Sequence, residues 1–100
     1  MEIETPESND FTIYSKSGCI DCNKVKDLLK NNKQKYLVIV CDDYLFDDKE
    51  IFLSIMNNYT NCEWNRFPMV FHNGKFIGGF NETKIYVDKL LAFNFYRNEF

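Results

Sequence analysis

A chain of 100 residues that is 45% hydrophobic and 17% aromatic is one small domain, with enough apolar bulk for a core that needs no disulfide staples. Its net charge of −3, with acids and bases interspersed, excludes the basic footprint of a nucleic-acid binder. The longest apolar run, about six residues from Tyr36 to Cys41, is far short of the roughly 20 that span a bilayer, so no membrane partner is expected.

The first ten residues, MEIETPESND, are polar and are expected to be a flexible segment ahead of a domain spanning 11–100. They lack the basic start and apolar stretch of a secretory signal, which points to the cytoplasm, where thiols stay reduced. FTIYSK (11–16) reads as a strand. From Ile20 onward Val25, Leu28 and Leu29 keep helical spacing, and the pattern ends at KNNKQ. KYLVIVCD is a continuous β-branched run, the pattern of a strand buried on both faces. Asp42-Asp43 and Asp47-Asp48 read as solvated loop and helix-start residues. Ile51, Phe52, Ile55, Met56 and Tyr59 then mark a second helix, and the polar loop TNCEWNR leads to Pro68.

MVFHNGKFIGG predicts a hairpin, because Asn73-Gly74 between two apolar runs is the preferred type I′ turn pair. NETKIYVDKLLAFNFYR predicts a last helix with Asn81 as its N-cap and Glu82 in its first turn. The order is β-α-β-α-β-β-α. A right-handed crossover gives the first two strands a parallel pairing and the hairpin adds an antiparallel one, so the expected fold class is α/β, a four-stranded mixed sheet flanked by helices.

Cys19 and Cys22 fall where the first strand gives way to the first helix. Unpaired N–H groups and the macrodipole at a helix start favour a thiolate there, and Lys16 adds a nearby cation. Cys22, one turn on and more buried, suits a resolving thiol. In a reducing compartment such a pair reads as redox or metal chemistry. Structural zinc wants four ligands, often two such knuckles, and this chain has one. No metal is therefore expected. Cys41 reads as a small hydrophobe, Cys62 as a spare thiol and His72 as an ordinary strand residue.

Three separated motifs resemble the glutaredoxin family, over roughly residues 11–97. YSKSGCIDC resembles its strand-end lysine and Cys-Pro-Tyr-Cys, RFPMVF its Thr-Val-Pro segment with a cis proline, and IGGFNE its Gly-Gly-x-Asp-Asp segment. The resemblance implies a thioredoxin-like fold and a glutathione groove. In it Lys16 would pair with the glycine carboxylate, and Cys19 would form the mixed disulfide. Phe67, before Pro68, would offer its backbone N–H and C=O to the cysteinyl part, like a short added strand. Gly78 and Gly79 would let the chain approach closely. The N–H groups of Phe80 and Asn81 would take the γ-glutamyl carboxylate, and Glu82 its ammonium group.

The chain also departs from that pattern. Ile20-Asp21 replaces Pro-Tyr, which removes a stiff turn and puts a charge beside Cys19 that works against the thiolate. Arg66-Phe67 replaces Thr-Val in a loop about two residues longer, and Trp64 there is expected to pack as a lid. Asp21 and Arg66 are additional candidate contacts.

The resemblance implies a monomeric glutathione-dependent thiol–disulfide oxidoreductase. Glutathione would be the reducing co-substrate, and glutathionylated or disulfide-containing proteins the partners. Two alternatives stay open: a thioredoxin-like reductant for a partner enzyme, and a glutathione-assisted [2Fe–2S] carrier in which Cys19 is a cluster ligand.

Overall fold

The computed structural model describes residues 1–98, with side chains described through Phe93. Strand β1 (Phe11–Ser15) is buried at every position, and helix α1 (Ile20–Asn31) carries the chain back to β2 (Tyr36–Val40). Helix α2 spans Asp42–Thr60, β3 Met69–His72, β4 Lys75–Gly78 and α3 Phe80–Asn98. The seven elements thus follow the expected order. The last two residues of the expected 11–100 domain lie outside the described residues.

The sheet runs β2-β1-β3-β4, with β1 parallel to β2 and antiparallel to β3. This is the thioredoxin-like arrangement. Asn73 (φ 51°) and Gly74 (φ 80°) both turn left-handed between β3 and β4, as a type I′ hairpin requires.

Period-two alternation sorts the core into two layers. Phe11 and Ile13 of β1 and Val70 of β3 pack with Val25, Leu29 and Val87, on the side of α1 and α3. Tyr14, Ile39, Met69 and Phe71 pack with Phe52 and Met56 of α2 on the other. Each such side chain, moved wholly out of water, contributes roughly 1.5–3 kcal/mol.

Two expectations need correction. The strand buried on both faces is β1, not β2. The crossover puts β2 at the sheet edge, leaving Leu37 42% and Val40 60% exposed. A run of apolar residues cannot tell an inner strand from an edge one when the edge strand still covers one helix. The second helix also starts earlier than its apolar pattern. Residues from Asp42 form a first short segment, then Asp48 adopts extended backbone (φ −158°) and its carboxylate accepts the N–H of Ile51 at 3.1 Å. The segment read from Ile51, Phe52 and Ile55 is the part of α2 beyond that kink.

Residues 1–10, expected to be flexible, carry no regular element. Tyr14 Oη donates to Glu4 O, Glu4 N–H donates to Tyr44 Oη, and Asp10 N–H donates to Asn73 Oδ1. Among the described residues no helix is long and apolar enough to cross a membrane.

Candidate active site

Parallel β1 and β2 end at the same edge of the sheet, where β3 begins and β4 ends. Register alone therefore gathers Lys16–Cys22, Phe67-Pro68 and Gly78–Glu82 at one end of the molecule.

Cys19 is the N-cap of α1. Its extended backbone (φ −97°, ψ 108°) turns Sγ back over the first turn, where it accepts the N–H of Cys22 at 3.2 Å. A sulfur thus takes the place of the usual capping oxygen. Cys19 and Cys22 are paired as a disulfide, with Cα atoms 5.3 Å apart. Cys22 is fully buried while Cys19 is partly exposed, so only one sulfur of the pair is accessible from solvent. Ile20 stands 72% exposed beside them. Asp21 pairs loosely with Lys24 at 3.9 Å, an exposed ion pair that adds little stability.

Residues 16–18 form an exposed loop fixed from a distance. The Ser17 N–H donates to Asp42 Oδ1 at 2.9 Å, and its hydroxyl donates to the other Asp42 oxygen. These two bonds, first the hydroxyl and then the backbone one, hold the Asp42 carboxyl below its ordinary value of 3.8. Asp42 opens α2, ahead of the apolar pattern from which the sequence placed that helix. Its anchoring of the thiol loop, 25 residues away, had no local signal.

Across from that loop the Phe67–Pro68 bond is cis and Pro68 is buried. Lys16 Nζ lies 5.7 Å from the centre of the Phe67 ring, which in turn stacks on Phe52. Lys16, Phe67, Arg66 and Asn65 line one groove of about 380 Å³ with Leu45, Lys49 and Leu53 of α2. Trp64 packs as the expected lid, against the α2-side core and edge-on to Phe76 at 5.2 Å. The Asn57 carboxamide accepts its backbone N–H, and the Arg66 guanidinium carbon sits 3.6 Å above its ring. Lys49 was not singled out from the sequence, because only the turn at Asp48 brings its side chain to the groove.

At the third segment Gly78 has φ 138°, and a Cβ there would meet Glu82 Cβ at 2.7 Å, so no other residue fits. A Cβ on Gly79 would lie 3.2 Å from Trp64 Cζ2, which places the indole edge against the start of α3. The Thr83 N–H donates to Gly79 O at 3.0 Å, and the Gly79 N–H to Glu82 Oε1 at 2.9 Å. The N-cap is therefore Gly79. The expectation of Asn81 at the cap is corrected by two positions, because Glu82 reaches back to Gly79 as half of a capping box. Phe80 and Asn81 keep first-turn N–H groups that the helix itself leaves without acceptors. Lys24 Nζ, 5.5 Å from the Phe80 ring, ties this start to α1.

The remaining candidates lie elsewhere. His72 pairs with Phe11 at the opposite end of β1, stacked on its ring and bonded through Nδ1 to Tyr86 Oη at 2.6 Å. Cys41 is buried and Cys62 exposed. Among the described residues no three His, Cys, Asp or Glu side chains come together as a metal site.

The family model described as Glutaredoxin matches residues 11–77 of this sequence. No curated protein matches in sequence. Among solved structures, glutaredoxin 1 from Francisella tularensis, complexed with cacodylate, is 28% identical with a TM-score of 0.71, over 82% of this chain and 95% of that one. The buckwheat glutaredoxin–glutathione complex is also 28% identical, with a TM-score of 0.68, over 86% and 76%. The holo form of glutaredoxin C1 from Populus tremula x tremuloides is 32% identical, with a TM-score of 0.67, over 86% and 83%. This chain belongs to the glutaredoxin family, and Cys19 and Cys22 are consistent with its dithiol motif. Family and fold together support thiol–disulfide oxidoreductase activity.

Proposed function

For this glutaredoxin, we propose that glutathione is the reductant and that Cys19 carries the exchange. The Cys19 thiolate attacks the glutathione sulfur of a protein–glutathione disulfide, and the protein leaves as a thiolate that takes up a proton. A second glutathione thiolate attacks the glutathionyl sulfur, releasing oxidised glutathione and restoring Cys19. With a protein disulfide, Cys19 displaces one substrate thiol. Cys22 then attacks Cys19 Sγ and releases the other, and two glutathiones reduce the resulting Cys19–Cys22 bond.

The observation that carries this reading is the state of the α3 start. Glu82 occupies the Gly79 N–H through one carboxylate oxygen. That leaves the donors of Phe80 and Asn81 for a carboxylate, and the negative Glu82 beside them for an ammonium group. An α-amino acid head, as in the γ-glutamyl end of glutathione, presents that pair of charges. Lys16 would receive the glycine carboxylate at the far end, and the Phe67 backbone the cysteinyl unit between. Buckwheat glutaredoxin was solved with glutathione, which supports the same ligand here.

The test is turnover of a glutathionylated peptide with glutathione and glutathione reductase. Native protein and Cys22→Ser are expected to be active, and Cys19→Ser to fall to the uncatalysed background. Full activity in Cys19→Ser refutes the assignment of the attacking thiol. Native protein that turns over with a dithiol reductant but not with glutathione refutes the donor.

A further inference from the structure

The groove beside Lys16 carries more positive charge than glutathione can use. Lys16, Lys49 and Arg66 all line it, and none of the three makes an ion pair among the described residues. The glycine end of glutathione brings one carboxylate. The carboxylate electrostatically linked to Lys16 is Asp42, and both its oxygens are already taken by Ser17. Arg66 is also held in place. Its guanidinium stacks on Trp64 at 3.6 Å, and Trp64 is wedged between Phe76 and Gly79, so the fork keeps its N–H edges for a planar anion. In a chain of net charge −3, a groove of about 380 Å³ lined by three cations and no carboxylate is a local reversal of sign.

We propose that this groove takes an acidic polypeptide segment that follows the target cysteine of a disulfide-bearing substrate protein. The direction comes from chain polarity. Glycine follows cysteine in glutathione and is the unit expected at Lys16, so residues after a substrate cysteine run the same way. Leu45, Leu53 and the Phe67 ring line the groove between the cations, and accept the aliphatic stems of Glu side chains. The proposal rests on Cys19 as the attacking thiol and takes its direction from the glutathione pose proposed above, but it does not need glutathione as the electron donor.

Electrons balance within one exchange. The Cys19 thiolate attacks the peptide sulfur of a peptide–thionitrobenzoate disulfide, the Cys19–peptide bond forms, and coloured thionitrobenzoate leaves. The experiment measures that release in single turnover, using anaerobic pre-reduced protein and no glutathione. Three peptides, Cys-Glu-Glu, Cys-Gln-Gln and Cys-Lys-Lys, are amidated so that side chains supply the only carboxylates.

At low salt the Glu peptide is expected to react about threefold to tenfold faster than the Gln peptide, the range that one or two exposed ion pairs supply. The ratio should shrink at about 0.5 M salt, where screening lengths fall below 5 Å. In Lys49→Gln/Arg66→Gln it should approach one, and in Lys49→Glu/Arg66→Glu, which leaves Lys16 facing two carboxylates, the Lys peptide should overtake the Glu peptide. Each ratio is taken within one variant, so a change in folding or basal reactivity cancels. Equal rates for the Glu and Gln peptides in the native protein overturn the acidic preference alone. Absence of release from all three peptides overturns the reading of Cys19, and the proposal with it.

Discussion

Two helices of this protein begin with a cysteine at the end of a parallel strand, and the two cysteines could hardly differ more. Cys19 caps α1 and Cys41 caps α2. Both therefore sit at the positive end of a helix dipole, the feature that marks a reactive thiol in sequence. Cys19 has ψ 108°, which points Sγ at the first-turn N–H groups, and it keeps access to solvent. Cys41 has ψ 7°, makes no side-chain cap, is fully buried, and turns Sγ toward Ile39 O at 3.5 Å. Burial pushes its thiol up to about 12. A helix start therefore does not make a nucleophile. The backbone angle at the cap decides whether the sulfur meets the dipole, and exposure decides whether anything meets the sulfur.

Alkylation of the reduced native protein with iodoacetamide puts the widest number on this contrast. At pH 8 a thiol titrating near 12 is only about one part in ten thousand thiolate. Cys41 is thus expected to stay unmodified until denaturant is added, while Cys19 reacts first and exposed Cys62 remains available. Rapid labelling of Cys41 in the folded state, read by peptide mass mapping, would erase the distinction. Stability supplies the next test. Cys41 packs with Tyr14, Phe52 and Met56, so Cys41→Ala is expected to cost about 1–2 kcal/mol in chemical denaturation while leaving turnover unchanged. A neutral effect on stability would mean that the buried cap contributes nothing to packing.

A third test addresses the link between the two helix starts, the bonds from Ser17 to Asp42. The Asp42 carboxyl is depressed in the folded state, so its stabilisation is present above the ordinary carboxylate value and disappears as pH falls through the depressed one. Melting temperatures of the native protein should drop across that acid range more than those of Asp42→Ala, whose curve should be flatter there. Parallel curves would show the bonds to be energetically silent. The smallest effect belongs to Asp21→Asn. Removing an exposed charge beside Cys19 should change its alkylation rate by about twofold at low salt, fade at high salt, and leave Cys41 untouched.

The motifs that could be read in the sequence are those whose chemistry admits few residues. The Cys pair, the proline of the cis bond and the double glycine name themselves. Gly78 does so because Glu82 Cβ leaves no room for a Cβ there. The element order followed from periodicity for the same local reason. What periodicity could not carry was anything settled across the chain. β1 lies inside the sheet and β2 at its edge because a crossover and a hairpin add neighbours on opposite sides. Asn81 yielded the cap to Gly79 because Glu82 swings back to it. Asp42 and Lys49 joined the site only through contacts with residues far away in sequence.

The position of β2 also bears on how copies of this chain could meet. Its outer side offers unpaired backbone groups along five residues, with Leu37 and Val40 open to water, which is a template for another strand to add. The run YLVIV is short, β-rich and uncharged, the composition that seeds ordered aggregates. Lys33 and Lys35 stand immediately before it, and Asp42 and Asp43 soon after. Two copies stacked parallel and in register at this edge would set like charges against like at both ends, so the flanking residues oppose that pairing at an edge that the described residues leave uncovered.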